Sequence, residues 1–387
     1  MTYIAEHIEK MPRSGIRKFF DVANEIEGVI SLGVGEPDFE TPWAIKERGI
    51  YTLEKKRTVY TSNAGLLELR EEISKYLKKR INASYDPKGE VLVTVGASEG
   101  IDVALRAVIN PGEEVLVVEP SYVSYKPCIT MAGGVPVVIE TKAENNFRLT
   151  PKELLEKITP KTKALILPYP NNPTGAIMEK SDLAAIEKVL KYRDIVVISD
   201  EIYSELTYSD EPHVSIASFE SMRDKTIVLN GFSKAYAMTG WRLGYAAGPR
   251  EIIDAMTKIH QYIIMCAPTV SQYAGVEALK SCDENVAKMR KEYNARRRVM
   301  RKGFLDIGLD CFEALGAFYL FPCIKSTGLS SDEFAERLLF EEKVAVVPGT
   351  AFGESGEGFI RCSYAYSIGE IKTALKRIEN FINKLKG

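Results

Sequence analysis

The chain has 387 residues, a length that predicts about two domains rather than one hydrophobic core. Its 51 Lys and Arg against 53 Asp and Glu give a formal net charge of -2. That balance provides no electrostatic reason to expect nucleic acid or an anionic membrane as a partner. The opening MTYIAEHIEKMPRSG lacks the apolar core of a signal peptide, and no apolar run approaches the ~20 residues that span a bilayer. We therefore expect a cytoplasmic protein.

Short β-branched runs alternate with helix-like segments from about residue 90 to 250. The predicted strands are EVLVTV, EEVLVVE, VPVVIE, KALILPYP, DIVVISD and KTIVLN. Between them lie segments such as ASEGIDVALRAVI, whose apolar residues recur every three to four positions. The alternation predicts an α/β fold in which helices flank a mostly parallel sheet.

The pattern changes around residues 269–308, where a long charged helix containing MRKEYNARRRVMRKGF is predicted. Its RRR is interpreted as a solvated helix face rather than a nucleic-acid patch. Beyond it, FEALGAFYLFP, a helix from about Ser331, KVAVVPG, GFIRCSYA and a final helix predict a smaller α/β domain. We expect residues 46–285 to form the large domain, and residues 1–45 with 286–387 the small one.

Cysteine and histidine spacing gives no metal signature. The six cysteines include no CxxC pair, and the three histidines form no HxxxH pair. We therefore expect neither a disulfide framework nor a protein-bound metal.

Polar residues follow four of the predicted strands, at the point where each strand ends. They are Ser98, Asn172, Asp200 and Lys234. In an open parallel sheet, ligands bind at the carboxyl ends of the strands. We therefore expect these side chains to converge on one crevice.

The residue types at this crevice are those that pyridoxal phosphate needs. A lysine amine forms a Schiff base with an aldehyde, and burial near other cations lowers its pKa. A carboxylate such as that of Asp200 can keep a pyridine nitrogen protonated. The backbone N–H groups of residues 96–98, which open a helix, can bind a phosphate together with Arg242.

The stretch GFSKAYAMTGWRLG resembles the cofactor-lysine signature of the class I aminotransferases. LGVGEPDF, YTSNAGLLELR, YPNNPTG, SDEIY and FIRCSYA also resemble motifs of that family and follow its order along the chain. The resemblance implies an aspartate-aminotransferase-like fold, with residues 46–285 as the cofactor-binding domain. It also implies a homodimer with shared active sites.

The resemblance assigns the cofactor contacts residue by residue. Lys234 would form the Schiff base with pyridoxal 5'-phosphate and later move the substrate's α-proton. Asp200 would pair with the pyridine nitrogen, and Tyr122 would stack on the ring. Tyr203 and Asn172 would hydrogen-bond the cofactor's phenolic oxygen, which favours the ionised phenolate.

The resemblance also implies a phosphate site. Ala97 and Ser98 would contribute backbone N–H groups, and Arg242 a charged contact. Ser233 is a further candidate ligand, and Tyr60 would reach the phosphate of the neighbouring subunit.

For the substrate, the resemblance implies that Arg361 grips the α-carboxylate with its planar fork, assisted by Asn172 and the Gly35 backbone. Two positions depart from the family pattern. Gly231 stands where many members have a phosphate-binding serine, and Ser98 stands where some aspartate-specific relatives have a lysine. The second departure weakens an aspartate-only interpretation.

We therefore predict a pyridoxal-phosphate-dependent aminotransferase of amino-acid metabolism, with 2-oxoglutarate as acceptor. SGIRKFF, LPYPNNPTG, ISDEIYSELTY and KIHQY most resemble the subgroup that uses aromatic amino acids, aspartate or N-acetyl-diaminopimelate as donor. Two alternatives stay open: a C–S β-lyase on the same fold and a non-catalytic ligand-sensing protein. A nicotinamide dehydrogenase is disfavoured, because no GxGxxG follows a strand.

Overall fold

The computed structural model describes residues 3–11 and 26–386. The SGIRKFF stretch, at residues 14–20, lies outside the described residues. The described α-helices are α1 (Glu6–Glu9), α2 (Trp43–Glu54), α3 (Leu67–Ile81), α4 (Gly96–Val108), α5 (Tyr125–Met131), α6 (Pro151–Lys157), α7 (Lys180–Leu190), α8 (Glu220–Arg223), α9 (Arg250–Ile263), α10 (Thr269–Ser281), α11 (Asp283–Ile307), α12 (Ser331–Glu342) and α13 (Ile368–Lys386). The described strands are β1 (Ile30–Ser31), β2 (Val91–Thr94), β3 (Glu114–Glu119), β4 (Val135–Glu140), β5 (Thr162–Leu167), β6 (Val196–Asp200), β7 (Thr226–Gly231), β8 (Gly244–Ala247), β9 (Tyr319–Leu320), β10 (Val344–Ala345), β11 (Val347–Pro348) and β12 (Ile360–Ser363).

A seven-stranded sheet with the order β2-β8-β7-β6-β5-β3-β4 forms the centre of the molecule. The six predicted runs form β2 to β7, and β3 to β7 pair in parallel, so the predicted α/β sheet is confirmed. The strand β8 was not predicted, because GYAA is short and has no β-branched residue. It pairs antiparallel with both β2 and β7. Because β8 is antiparallel to both of its neighbours, β2 and β7 run in the same direction, and their carboxyl ends lie at the same edge of the sheet.

The C-terminal part builds a second layer onto which the segment after β1 folds. The strands β11, β12 and β9 form an antiparallel sheet, and β1 pairs in parallel with β10. Leu32 continues this connection, since its N–H donates to Ala345 O at 2.7 Å and its carbonyl accepts from Ser363 N at 2.6 Å. Gly33 and Gly35 are thereby carried to the edge of the large sheet. The exact domain division at 46–285 stays a prediction.

The long charged helix containing MRKEYNARRRVMRKGF is α11, but the expectation that it begins near residue 269 is wrong, because α10 ends before Cys282 and α11 begins after it. The solvated RRR face is also wrong for two of its three residues. Arg296 and Arg297 are 7% and 2% exposed, and they pair with Asp38 and Glu313. Their charges are therefore paired inside the protein.

None of the helices in the described part of the chain combines the length and apolarity that a bilayer crossing requires.

Candidate active site

A cavity of about 610 Å³ lies at the carboxyl ends of the parallel strands, against the C-terminal layer. The structure brings together in its lining the predicted site residues Gly35, Ala97, Ser98, Tyr122, Asn172, Asp200, Tyr203, Ser233, Lys234, Arg242 and Arg361. Tyr60 does not line it and is 78% exposed on the surface. Within the described ranges, no group of three His, Cys, Asp or Glu side chains is placed to hold a metal ion.

Lys234 follows β7 and carries its amine into this cavity. Its Nζ donates to the Gly35 carbonyl at 2.7 Å, so the amine is held at the junction of the two layers. Burial lowers the pKa of Lys234 to about 8, against the opposing charge of Glu36 and with the help of Arg361 and Arg242. A lysine with this pKa is partly neutral near physiological pH and is therefore a usable nucleophile.

Asp200 ends β6, the strand next to β7, and is 5% exposed. Its Oδ2 accepts from the Tyr125 hydroxyl at 2.7 Å, and its Oδ1 accepts from the Ile202 N–H at 3.2 Å. Burial raises the pKa of the Asp200 carboxyl, although both hydrogen bonds act in the opposite direction. Among the described residues it has no ion-pair partner, so a cationic N–H in the cavity would stabilise its charged form.

Arg361 enters the cavity from β12 and is 3% exposed. Its Nη1 donates to Asn172 Oδ1 at 2.9 Å, and its Nη2 donates to the Gly33 carbonyl. The guanidinium lies between the rings of Tyr319 at 4.4 Å and Phe352 at 4.8 Å. Its Nε is buried and has no hydrogen-bond partner in the described part of the chain. A planar, oriented cation with an unused donor is suited to a carboxylate.

A phenolic pair lines the same side of the cavity. The Tyr203 hydroxyl lies 2.9 Å from the Tyr319 hydroxyl, and burial raises the pKa of Tyr203. Both phenols are therefore neutral hydrogen-bonding groups near the Lys234 amine.

The opposite end of the cavity is built for an anion. The helix α4 starts at Gly96, and its first N–H groups have no intrahelical acceptor. The Arg242 guanidinium lies directly over Gly96, where a Cβ would come within 2.6 Å of Nη2. Gly96 also has a φ of +73°, which disfavours any side chain there. Helix N-terminus and guanidinium together create a concentrated positive potential.

Gly231 has a structural explanation in the β7–β8 ladder, where it pairs with Gly244. A Cβ at Gly231 would lie 3.0 Å from Gly244 Cα and 3.0 Å from the Leu243 carbonyl oxygen. A Cβ at Gly244 would lie 2.6 Å from Ala97 N, at the start of α4. The two glycines therefore let sheet and helix N-terminus approach closely, while Ser233 lies in the cavity lining.

Replacing Gly231 by serine is expected to destabilise the protein by about 1–3 kcal/mol, the usual cost of overpacking. The readout is the melting temperature of the purified protein. Gly240→Ala provides the matched control, because a Cβ at Gly240 meets nothing within 4 Å. An unchanged melting temperature for Gly231→Ser would contradict this account of the ladder.

Sequence reasoning missed three aromatic residues of the site: Tyr125, Tyr319 and Phe352. Tyr125 lies three positions after Tyr122, a helical spacing that could have indicated it. Tyr319 lies in an apolar run and Phe352 in a Gly-containing turn, and neither carries a local signal. Their roles arise from contact with Arg361, which is distant in sequence.

Fold and site define an α/β protein in which an amine, a carboxylate and a guanidinium share one cavity with an anion site. The model of the family aminotransferase class I and II matches residues 27–378. Bacillus subtilis YugH, which is named as an aminotransferase, is 52% identical over 99% of both chains.

Two solved structures extend the comparison. An aromatic aminotransferase from Pyrococcus horikoshii has a TM-score of 0.91 and 45% identity, over 96% of this chain and 100% of that one. Thermus thermophilus aspartate aminotransferase with maleate has a TM-score of 0.93 and 36% identity, over 98% and 100%. The chain belongs to the class I and II aminotransferases. It is a transferase with the aspartate aminotransferase fold.

Proposed function

We propose that this aminotransferase uses pyridoxal 5'-phosphate to move an amino group between an L-amino acid and an oxo acid, with 2-oxoglutarate as the acceptor. One observation carries the proposal: Lys234, Asp200 and Arg361 line a single cavity that ends at the N-terminus of α4. An amine, a ring-nitrogen partner, a carboxylate clamp and an anion cup are the four contacts that this cofactor and an amino acid require.

The residues at the centre fit the cofactor's ring. When bound, pyridoxal phosphate supplies an electron sink for charge that develops at the substrate's α-carbon. Lys234 would hold the cofactor through a Schiff base and, once released, carry the α-proton. Asp200, held by Tyr125 at 2.7 Å, would keep the ring nitrogen protonated. Tyr122 would stack on the ring.

The remaining contacts would fix the cofactor's substituents. Tyr203 and Asn172 would donate to the phenolic oxygen. The N–H groups of Ala97 and Ser98, with the side chain of Arg242, would bind the phosphate. Ser233 would add a further contact from the cavity lining.

Arg361 would bind the substrate's α-carboxylate, with Asn172 and the Gly35 backbone beside it. Every amino acid carries this carboxylate, so the clamp sets the substrate class and leaves the side chain open. The two solved structures of the same fold are named as an aromatic aminotransferase and an aspartate aminotransferase. Together with the subgroup resemblance of the sequence, this supports aromatic amino acids, aspartate or N-acetyl-diaminopimelate as the proposed donors.

The test is a panel of these donors with purified protein, added pyridoxal phosphate and 2-oxoglutarate. Glutamate formation that depends on both donor and acceptor is expected. Pyruvate and ammonia released from cysteine-type substrates without an oxo acid would instead favour a C–S β-lyase. Ligand binding without turnover of any donor would favour a ligand-sensing protein.

We also propose a cytoplasmic homodimer in which Tyr60 reaches the phosphate of the neighbouring subunit. Large apolar side chains are exposed beside Tyr60 in the chain and at the end of α9: Val59 at 73%, Tyr262 at 84% and Ile263 at 57%. The segment that carries Tyr60 is joined to the end of α9, since Asn63 Nδ2 donates to the Met265 carbonyl at 2.8 Å. An exposed apolar surface of this kind is suited to a second copy. A solution mass of 43.2 kDa, one chain, would contradict the dimer.

A further inference from the structure

His260 is a fully buried histidine of α9 that no contact with the cavity explains. It is 0% exposed, and its Nδ1 lies 2.7 Å from Glu99 Oε1. Its Nε2 is buried and has no hydrogen-bond partner among the described residues. Leaving such an atom unpaired destabilises the folded protein. An apolar side chain would avoid that cost, so the contact with Glu99 is the feature that distinguishes histidine here.

Glu99 lies in the first turn of α4, next to the anion site. Its Oε2 accepts the N–H of Val95 at 2.5 Å, and Val95 directly precedes Gly96. The Glu99 carboxylate thus binds the peptide N–H that directly precedes the anion site at residues 96–98. The following N–H groups, at residues 96–98, stay available to a ligand.

A glutamate in the first turn can also compete with a ligand for the free N–H groups of residues 96–98. Glutamate side chains at this end of a helix readily accept backbone N–H groups, and the positive helix terminus attracts them. The Glu99 carboxylate is an acceptor, so the His260 tautomer that fits this contact carries its hydrogen on Nδ1 and donates to Oε1. That bond fixes the carboxylate on the Val95 side.

We propose that His260 is a positioning residue for the anion-binding end of α4: it holds Glu99 against Val95 and so keeps the N–H groups of residues 96–98 free for phosphate. The proposal rests on the proposed function in placing the cofactor's phosphate at this cup. His260 does not line the cavity, so it would contact neither substrate nor cofactor.

The experiment compares two ligands on cofactor-free protein, pyridoxal phosphate and pyridoxal, which lacks the phosphate. His260→Leu is expected to weaken pyridoxal phosphate binding about tenfold, the value of one hydrogen bond to a charged group. Pyridoxal affinity should not change. The affinity of His260→Leu for inorganic phosphate, measured by calorimetry, should fall by the same factor. His260→Asn keeps a donor near the Nδ1 position and should restore both affinities.

A linked pair of variants keeps the proposal falsifiable if His260→Leu is unstable. In a Glu99→Ala background, His260→Leu should have no further effect on phosphate affinity, because the two residues act through one contact. Equal weakening of pyridoxal and pyridoxal phosphate, or additive losses in the double variant, would overturn the proposal. Wild-type protein that binds phosphate but not pyridoxal phosphate would contradict the proposed cofactor and leave the role of His260 standing.

Discussion

Lys234→Ala is expected to lower turnover of every amino-acid donor by at least about 10⁴-fold, because it removes both the covalent attachment and the proton carrier. Packing should survive the change. Within the described residues the Lys234 amine makes one hydrogen bond, to the Gly35 carbonyl, and its burial disfavours the charged form. The measurement is steady-state turnover, with the melting temperature recorded in parallel.

Lys225→Ala is the matched control for Lys234, since Lys225 precedes the same strand at its other end. Its Nζ donates to the carbonyls of Lys191 and Arg193, at 3.1 and 2.8 Å. This variant should lose stability and keep turnover. Full turnover in Lys234→Ala would remove the proposed role of this lysine.

The pKa of Lys234 also predicts how the cofactor-free protein captures an aldehyde. This pKa is lowered from 10.5 to about 8, so the neutral amine accumulates as the pH rises through 8, while ordinary lysines are still charged. Capture of pyridoxal phosphate, trapped by borohydride and located by peptide mass, should speed up through this range and then level off. A midpoint near 10.5 would contradict a buried, neutral lysine.

Arg361→Lys is expected to lower kcat/KM for all amino-acid donors by about 10²–10³-fold, although the charge is kept. Lysine cannot form the two-pronged contact with a carboxylate. It also cannot fill the slot between the Tyr319 and Phe352 rings. A loss of that size corresponds to about 3–4 kcal/mol of transition-state stabilisation.

The pattern across substrates decides what the Arg361 result means. The kcat/KM for aspartate and for an aromatic donor should fall by the same factor, because both donors carry the α-carboxylate. For an amine without that carboxylate, Arg361→Lys and the wild-type protein should have the same kcat/KM. Arg297→Lys is the control, since Arg297 is equally buried, at 2% exposed, and pairs with Glu313 away from the cavity. A loss confined to aspartate would instead indicate that Arg361 binds the substrate's side-chain carboxylate.

Residues at strand ends were the part of the site that local reasoning could reach. Lys234 and Asp200 each follow a run of buried β-branched residues, and parallel strands carry such positions to one edge. Arg361, Tyr60 and Gly35 were predicted only through the family resemblance, because no local pattern distinguishes them. Tyr319 was missed altogether, since its position is set by an antiparallel sheet formed by residues far apart in the chain.

The sequence by itself determined the α/β architecture, six of the seven strands of the large sheet and the identity of the amine and the carboxylate at its edge. Those features depend on periodicity and on strand direction, which are local properties. Tertiary structure decided that β8 lies between β2 and β7, that Gly231 must be small, and that Arg361 is held between two rings. It also decided that Lys234 is buried enough to lower its pKa. These features depend on packing between distant segments, where burial and close contact fix the energies.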